Sequence, residues 1–373
     1  MTQTIDFLKQ IIAIPSYVDE NHDESSLVDF IVNKLKQNSE LKVTEQPVEK
    51  NRRNLIVSDS HDPKIILFGH MDTVPPKQQE TNPLAPYEEG GKLYGLGSVD
   101  MKSGLAIMLD IALNHHKKGT GYIFSVDEEY DFKGASKLKE IDYIHPKFII
   151  NLEPTSFKII NGCRGIAEFE IEIYGKSAHA GRKSNGVNAI EETVKLFSKF
   201  ETECQKSDQG DASTSVNLAY LHGGLKSDDT SDVKRMGNVV PNYARAVVEI
   251  RIANTKITQS YIEETINHLS KEIGLQIRNL KFKFFFGSML TPKDDLKLFE
   301  KVISTSGFTS EYADINQAGY FELQMLQSKW GGSAVIFGPG PSEKSHTENE
   351  YVEIDSVSTT QKVIEKFLAN SLN

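Results

Sequence analysis

Apolar residues recur along this chain with two different periods, and the switch between them divides it. Ile5, Leu8, Ile11 and Ile12 fall at helical spacing, which predicts an amphipathic helix over residues 4–13, and Leu27, Phe30, Ile31 and Leu35 repeat the pattern. Ile65-Ile66-Leu67-Phe68 is a continuous apolar run, read as a strand buried on both faces near the centre of a sheet. Gly104 to Leu113 reads as a helix, and Tyr122–Val126 and Phe148–Leu152 after it as further short strands. Strands alternating with helices predict an α/β domain with helices on both faces of its sheet. Residues 73–98 are rich in Pro and Gly and lack periodicity, which predicts a loop of the kind that carries sites rather than core.

The texture changes near residue 165. Residues 167–173 alternate strictly between apolar and polar, as a strand with one wet face does. A helix is expected at about 187–203, an alternating strand at 243–251, a helix near 257–273 and a strand near 277–286. From Leu296 the α/β texture returns. The expected fold is an α/β, mixed-sheet domain (1–164 and 287–373) with helices on both faces, interrupted by an inserted two-layer α+β domain (165–286).

At 373 residues the chain is long enough for about two domains. A net charge of −10 argues against a nucleic-acid partner, because nothing neutralises phosphates in a row. Two cysteines, Cys163 and Cys204, build neither a disulfide framework nor a Cys-rich zinc module, so any metal site must use His and carboxylates. The first residues lack a basic segment followed by a long apolar run, and no window approaches 18 apolar residues; a cytoplasmic protein without membrane contact is expected.

Metal-competent residues collect just after strands. Gly69-His70-Met71-Asp72 follows an apolar run, and Asp72 stands where it could fix the tautomer of a metal-binding His70. A glycine-rich turn, Gly95-Leu96-Gly97, delivers Asp100 just ahead of a helix. Asp127-Glu128-Glu129 sets three carboxylates in succession, which is costly unless a cation sits among them. Asn151-Leu152-Glu153-Pro154 places another carboxylate at a strand end, and Lys344-Ser345-His346-Thr347 adds an imidazole. Singly, each is more often a cap or a solvated turn. Together they gather at the carboxyl ends of strands, where open α/β sheets place their sites, and they offer the imidazole–carboxylate mix that zinc-like cations take.

In order and spacing these motifs resemble the M20 metallopeptidases, a family that includes glutamate carboxypeptidase, acetylornithine deacetylase and succinyl-diaminopimelate desuccinylase. The likeness runs from about residue 5 to 368. Gly175-Lys176-Ser177-Ala178-His179-Ala180-Gly181 is similar to the opening of that family's lid and dimerisation domain. The resemblance implies two divalent ions, zinc foremost with cobalt or manganese as alternatives. Asp100 would bridge them, His70 and Glu153 would complete one ion's ligands, and Glu129 and His346 the other's. It implies Glu128 as general base, Asp72 as the residue supporting His70, and His179 polarising the substrate carbonyl from the partner subunit of a homodimer. Asn238 and Arg251 match lid positions that contact substrate.

The implied reaction is hydrolysis of an amide or peptide bond in an N-acyl amino acid or small peptide with a free carboxylate, with a metal-bridged water as nucleophile. An N-acetyl- or N-succinyl-amino-acid deacylase is the alternative within the family, and a non-catalytic metal- or peptide-binding relative the alternative outside it. Leu96 and Ser103 depart from the family's usual residues without touching the ligand set. The segment Tyr312-Ala313-Asp314-Ile315-Asn316 matches only in part, which bears on substrate identity rather than on metal chemistry.

Overall fold

The apolar run at residue 65 forms the strand Ile65–His70, buried along its whole length because both faces are covered. In the computed structural model, which describes residues 2–77, 82–208, 212–227 and 232–372, this strand lies inside a six-stranded sheet. The order is Lys42–Glu49, Arg52–Ser58, Thr120–Ser125, Ile65–His70, Phe148–Pro154, Ser333–Gly338. The last four run parallel, and the first two add an antiparallel hairpin at one edge. The sheet is therefore mixed, as expected.

Ile65 and Leu67 enter a core cluster with Leu105 and Leu109 of the helix Ser103–Asn114 and with Leu8 and Ile11 of the helix Thr2–Ile12. Ile66 and Phe68 point to the opposite face, also fully buried. Helix Glu322–Trp330 serves that face: Ser125 Oγ donates to Glu322 Oε2 (2.6 Å). Parallel register sets the site. His70 pairs with Ser125, and Phe68 with Asn151, so His70, the turn after Ser125 and Glu153 all leave the sheet along one edge.

The chain divides into two compact units, Met1–Asn161 with Thr291–Ala313 and Phe321–Asn373, and Gly162–Leu290 with Asp314–Tyr320. The second unit holds a five-stranded antiparallel sheet in the order Val233–Lys234, Ser215–Lys226, Tyr243–Ile252, Gly165–Tyr174, Gln276–Phe286. Alternate residues Ala167, Phe169, Ile171 and Ile173 share one core with Leu196, Phe200, Ile262 and Ile266 of its two helices. Those helices begin where their caps stand. Asn188 accepts from the Ile190 and Glu191 N–H groups, and Thr258 from that of Tyr261, so helix starts at Ala189 and Gln259. The later segment Asp314–Tyr320 packs with this unit through Asn316, whose carbonyl accepts from Arg164 Nη2 (2.6 Å) and whose Oδ1 accepts from Ser213 N–H (2.9 Å).

Candidate metal centre

Three neighbouring strand ends and two loops of the first unit bring His70, Asp100, Glu128, Glu129, Glu153 and His346 together. His70 Nε2 lies 3.1 Å from Glu153 Oε1 and 3.3 Å from Asp100 Oδ1. His346 Nε2 lies 3.3 Å from Asp100 Oδ2 and 2.8 Å from Glu129 Oε1. The two oxygens of Asp100 thus face different imidazoles. Three donor groups gather closely enough to share an ion: His70 with Asp100 and Glu153, His70 with Glu128 and Glu129, and Asp100 with Glu129 and His346.

Each donor is held by its surroundings. Residues 98–102 form a widened helical turn ahead of helix Ser103–Asn114, entered through Gly97 at φ +74°. A Cβ at Gly97 would lie 2.6 Å from Thr73 Cγ2, so both backbone and space require glycine. Buried Glu350 binds this loop, accepting from Gly97 N–H (2.8 Å), Val99 N–H (2.8 Å) and Asp100 N–H (3.0 Å). Asp72 is fully buried, and its Oδ2 accepts from Glu129 N–H (2.9 Å). His70 Nδ1 stands nearer to the Asp72 carbonyl (3.1 Å) than to its carboxylate Oδ1 (3.5 Å). Its partner is therefore chiefly backbone, because the strand ends at His70 and Asp72 has already turned away.

Electrostatics test whether cations fit. Burial drives Glu128 well above the usual carboxylate range, with Glu153, Glu322 and Glu129 adding to the effect against the pull of His70. Burial pushes Glu153 up to about 7 against the attraction of His70. Burial also opposes ionisation of Asp100, but hydrogen bonds from His346 and His70 hold it well below the usual range. Hydrogen bonds to Asp100 and Glu129 lift His346 to about 10, and carboxylates raise His70 despite its burial. The cluster draws protons onto its imidazoles because carboxylates outnumber its positive charges. Buried His70 Nε2 has no hydrogen-bond partner despite two carboxylate oxygens nearby. Zinc-like ions sit about 2.0–2.2 Å from such donors, so donors sharing one ion stand roughly 3–3.5 Å apart, close to the 2.8–3.3 Å between these imidazole and carboxylate atoms. The residues fit divalent cations in both number and kind.

The remaining expected residues lie in the second unit. His179 is exposed and caps a short 3-10 helix, its Nδ1 accepting from Gly181 N–H (3.1 Å). That bond leaves the ring proton on Nε2, which is then a donor. Asn238 is exposed on the facing segment, and its carbonyl accepts from Ala180 N–H (2.9 Å). Arg251 stands in the central strand Tyr243–Ile252, not at an edge, with Nε bonded to Glu249 Oε1 (3.0 Å). Asp314 Oδ1 accepts from Asn316 N–H (2.9 Å) within its own turn.

Sequence reading missed Glu350, Glu322, Glu24 and Arg52. Glu350 is one acid among several in Glu348-Asn349-Glu350, and Glu24 and Glu322 carry no motif. It also grouped Asp127 with Glu128 and Glu129 around one cation. Asp127 has a cation of its own, for its Oδ1 lies 2.6 Å from Arg52 Nη2.

A mixed α/β sheet with an imidazole–carboxylate cluster along its carboxyl edge defines a metallohydrolase class, and comparison with known proteins narrows it. The chain belongs to peptidase family M20/M25/M40, whose model matches residues 66–370. It is 26% identical to an acetylornithine deacetylase of Buchnera aphidicola subsp. Schizaphis graminum, over 98% of this chain and 97% of that one. It is 27% identical to a probable carboxypeptidase of Ajellomyces dermatitidis, over 76% and 68%. Its fold matches a Bacillus subtilis dinuclear metal-binding peptidase of the M20 family with a TM-score of 0.66 at 15% identity, covering 100% of this chain and 98% of that one. The protein is a hydrolase. Among the described residues no helix is long and apolar enough to cross a membrane.

Proposed function

We propose that this protein hydrolyses the amide bond of an N-acyl amino acid or short peptide next to a free carboxylate, using two divalent ions held by the cluster around Asp100. The observation that carries this reading is the two-sided placement of Asp100, one oxygen toward His70 and the other toward His346. Glu153 would complete the ligands of the first ion and Glu129 those of the second. When bound, the ions, zinc by preference for this donor set, supply an activated water and positive charge for the carbonyl oxygen.

The chain's own residues do the rest. Glu128 is the one carboxylate of the cluster not assigned as a ligand, which leaves it to take the proton of the attacking water and pass it to the leaving nitrogen. Asp72 holds the Glu129 backbone through its carboxylate and the far nitrogen of His70 chiefly through its own carbonyl, which keeps both ligands oriented. His179, with its proton on Nε2, is suited to donate to the carbonyl oxygen as charge builds there. We assign residues 165–286 as a lid and dimerisation domain, with His179 acting on the partner's site. Arg251 and Asn238 then bind the substrate, Arg251 through its carboxylate. Full-length likeness to an acetylornithine deacetylase favours an N-acetyl-amino-acid deacylase as the second reading.

The test compares N-acyl amino acids and dipeptides with their carboxy-amidated counterparts. Arg251→Ala is expected to weaken kcat/KM for the free acids by about tenfold or more, in the range of a lost charge-assisted hydrogen bond, and to spare the amides. Equal loss for both would remove Arg251 from carboxylate recognition.

A further inference from the structure

Arg52 is the first residue of its strand and is buried. Its guanidinium forks onto Glu24, Nε to Oε2 at 2.7 Å and Nη2 to Oε1 at 2.6 Å, while Nη2 also meets Asp127 Oδ1 at 2.6 Å. Glu24 Oε1 in turn accepts from Asp127 N–H (3.2 Å). Asp127 Oδ2 accepts from Asp131 N–H (3.2 Å) and Lys133 N–H (3.1 Å), and its carbonyl accepts from Phe132 N–H (2.8 Å). Every polar atom of Asp127 is thereby engaged, and Asp127 sits at φ +73°, a conformation a non-glycine residue keeps only when its surroundings over-determine it. Two residues on, Glu129 N–H is fixed to Asp72. Glu128 lies between the two anchors.

We propose that Arg52 is a positioning residue: gripped by Glu24 and Asp127, it holds the turn so that adjacent Glu128 and Glu129 are presented separately, one as base and one as ligand. Buried ion pairs add little net stability over apolar packing, so fixed geometry is what this one contributes. The inference rests on the two-ion reading for the roles of the two glutamates, but not for the clamp itself.

Arg52→Lys and Arg52→Met in the full chain test it, since lysine keeps the charge and loses the fork. In metal-free protein, hydrogen exchange at the Asp127, Asp131 and Lys133 amides is expected to rise well above that of the neighbouring strands. In zinc titrations against a chromogenic chelator, the binding step abolished by His346→Ala is expected to weaken about 10–100-fold, as when a ligand's outer support is lost, with the other step within about twofold. With substrate, kcat is expected to fall and KM to hold. Unchanged amide exchange, or equal weakening of both zinc steps, overturns the proposal. If Arg52→Met does not fold, Arg52→Lys carries the test. A wild-type protein that binds no zinc refutes the two-ion reading instead, and exchange in metal-free protein still decides whether Arg52 holds the turn.

Discussion

Glu322 shows how a single carboxyl can weigh on the whole centre. Its Oε2 accepts from Ser125, its Oε1 is buried without a partner, and burial pushes it up to about 8, with Asp72 and Glu153 adding to the effect. An unfolded glutamate titrates near 4.5, so between that value and about 8 the folded chain holds a proton that the unfolded chain releases. The stabilising contribution is therefore complete at low pH and lost as pH rises through about 8. Glu322→Gln keeps the shape and removes the charge. In metal-free protein it is expected to leave the melting temperature near pH 4.5 almost unchanged and to raise it near pH 8. Equal shifts at both would contradict this. At this scale the sequence displayed the donors themselves, because His70, Asp100, Glu153 and His346 stand in motifs of fixed spacing. It hid the residues that hold them. Glu350 lies 250 positions from the Asp100 N–H it accepts from, and Glu24 lies 28 positions from Arg52, and no local pattern records such pairings.

Elements were legible where burial was one-sided or complete. The strands Ile65–His70 and Gly165–Tyr174 and the helices that cover them follow apolar spacing directly. The hairpin Lys42–Glu49 with Arg52–Ser58 did not, since its outer strand is largely exposed. Nor did Ser215–Lys226, where a bulge between Leu218 and Tyr220 breaks the alternation that a strand pattern depends on. Helix Ser103–Asn114 carries Asp100 at its entry and packs closely on the strand Phe148–Pro154, which carries Glu153 near its end. At Gly104 an added Cβ would stand 2.5 Å from the Leu152 carbonyl oxygen, a backbone atom that cannot move aside alone. Gly104→Ala is expected to cost about 1–3 kcal/mol in chemical denaturation, the usual range for overpacking. The helix should also shift away from the strand, weakening metal binding in the same variant. A variant as stable as the wild type would refute this close contact.

At the scale of the molecule, the proposed dimer makes each site composite. Glu128 and His179 belong to different units of one chain, and the proposal has His179 serving the partner's centre. Glu128→Ala and His179→Ala should each be nearly inactive alone. Mixed and allowed to exchange subunits, they should recover activity, because one site in each mixed dimer then has both groups. No recovery in a verified mixed dimer would place His179 in its own subunit's site. The most direct measurement is a zinc titration of metal-free protein, with bound metal counted while hydrolysis of an N-acyl amino acid is followed. Activity should be absent without metal, rise with occupancy, be complete near two equivalents, and fail to appear in Asp100→Asn. Undiminished hydrolysis by metal-free protein, or full activity in Asp100→Asn, would contradict a centre built around Asp100.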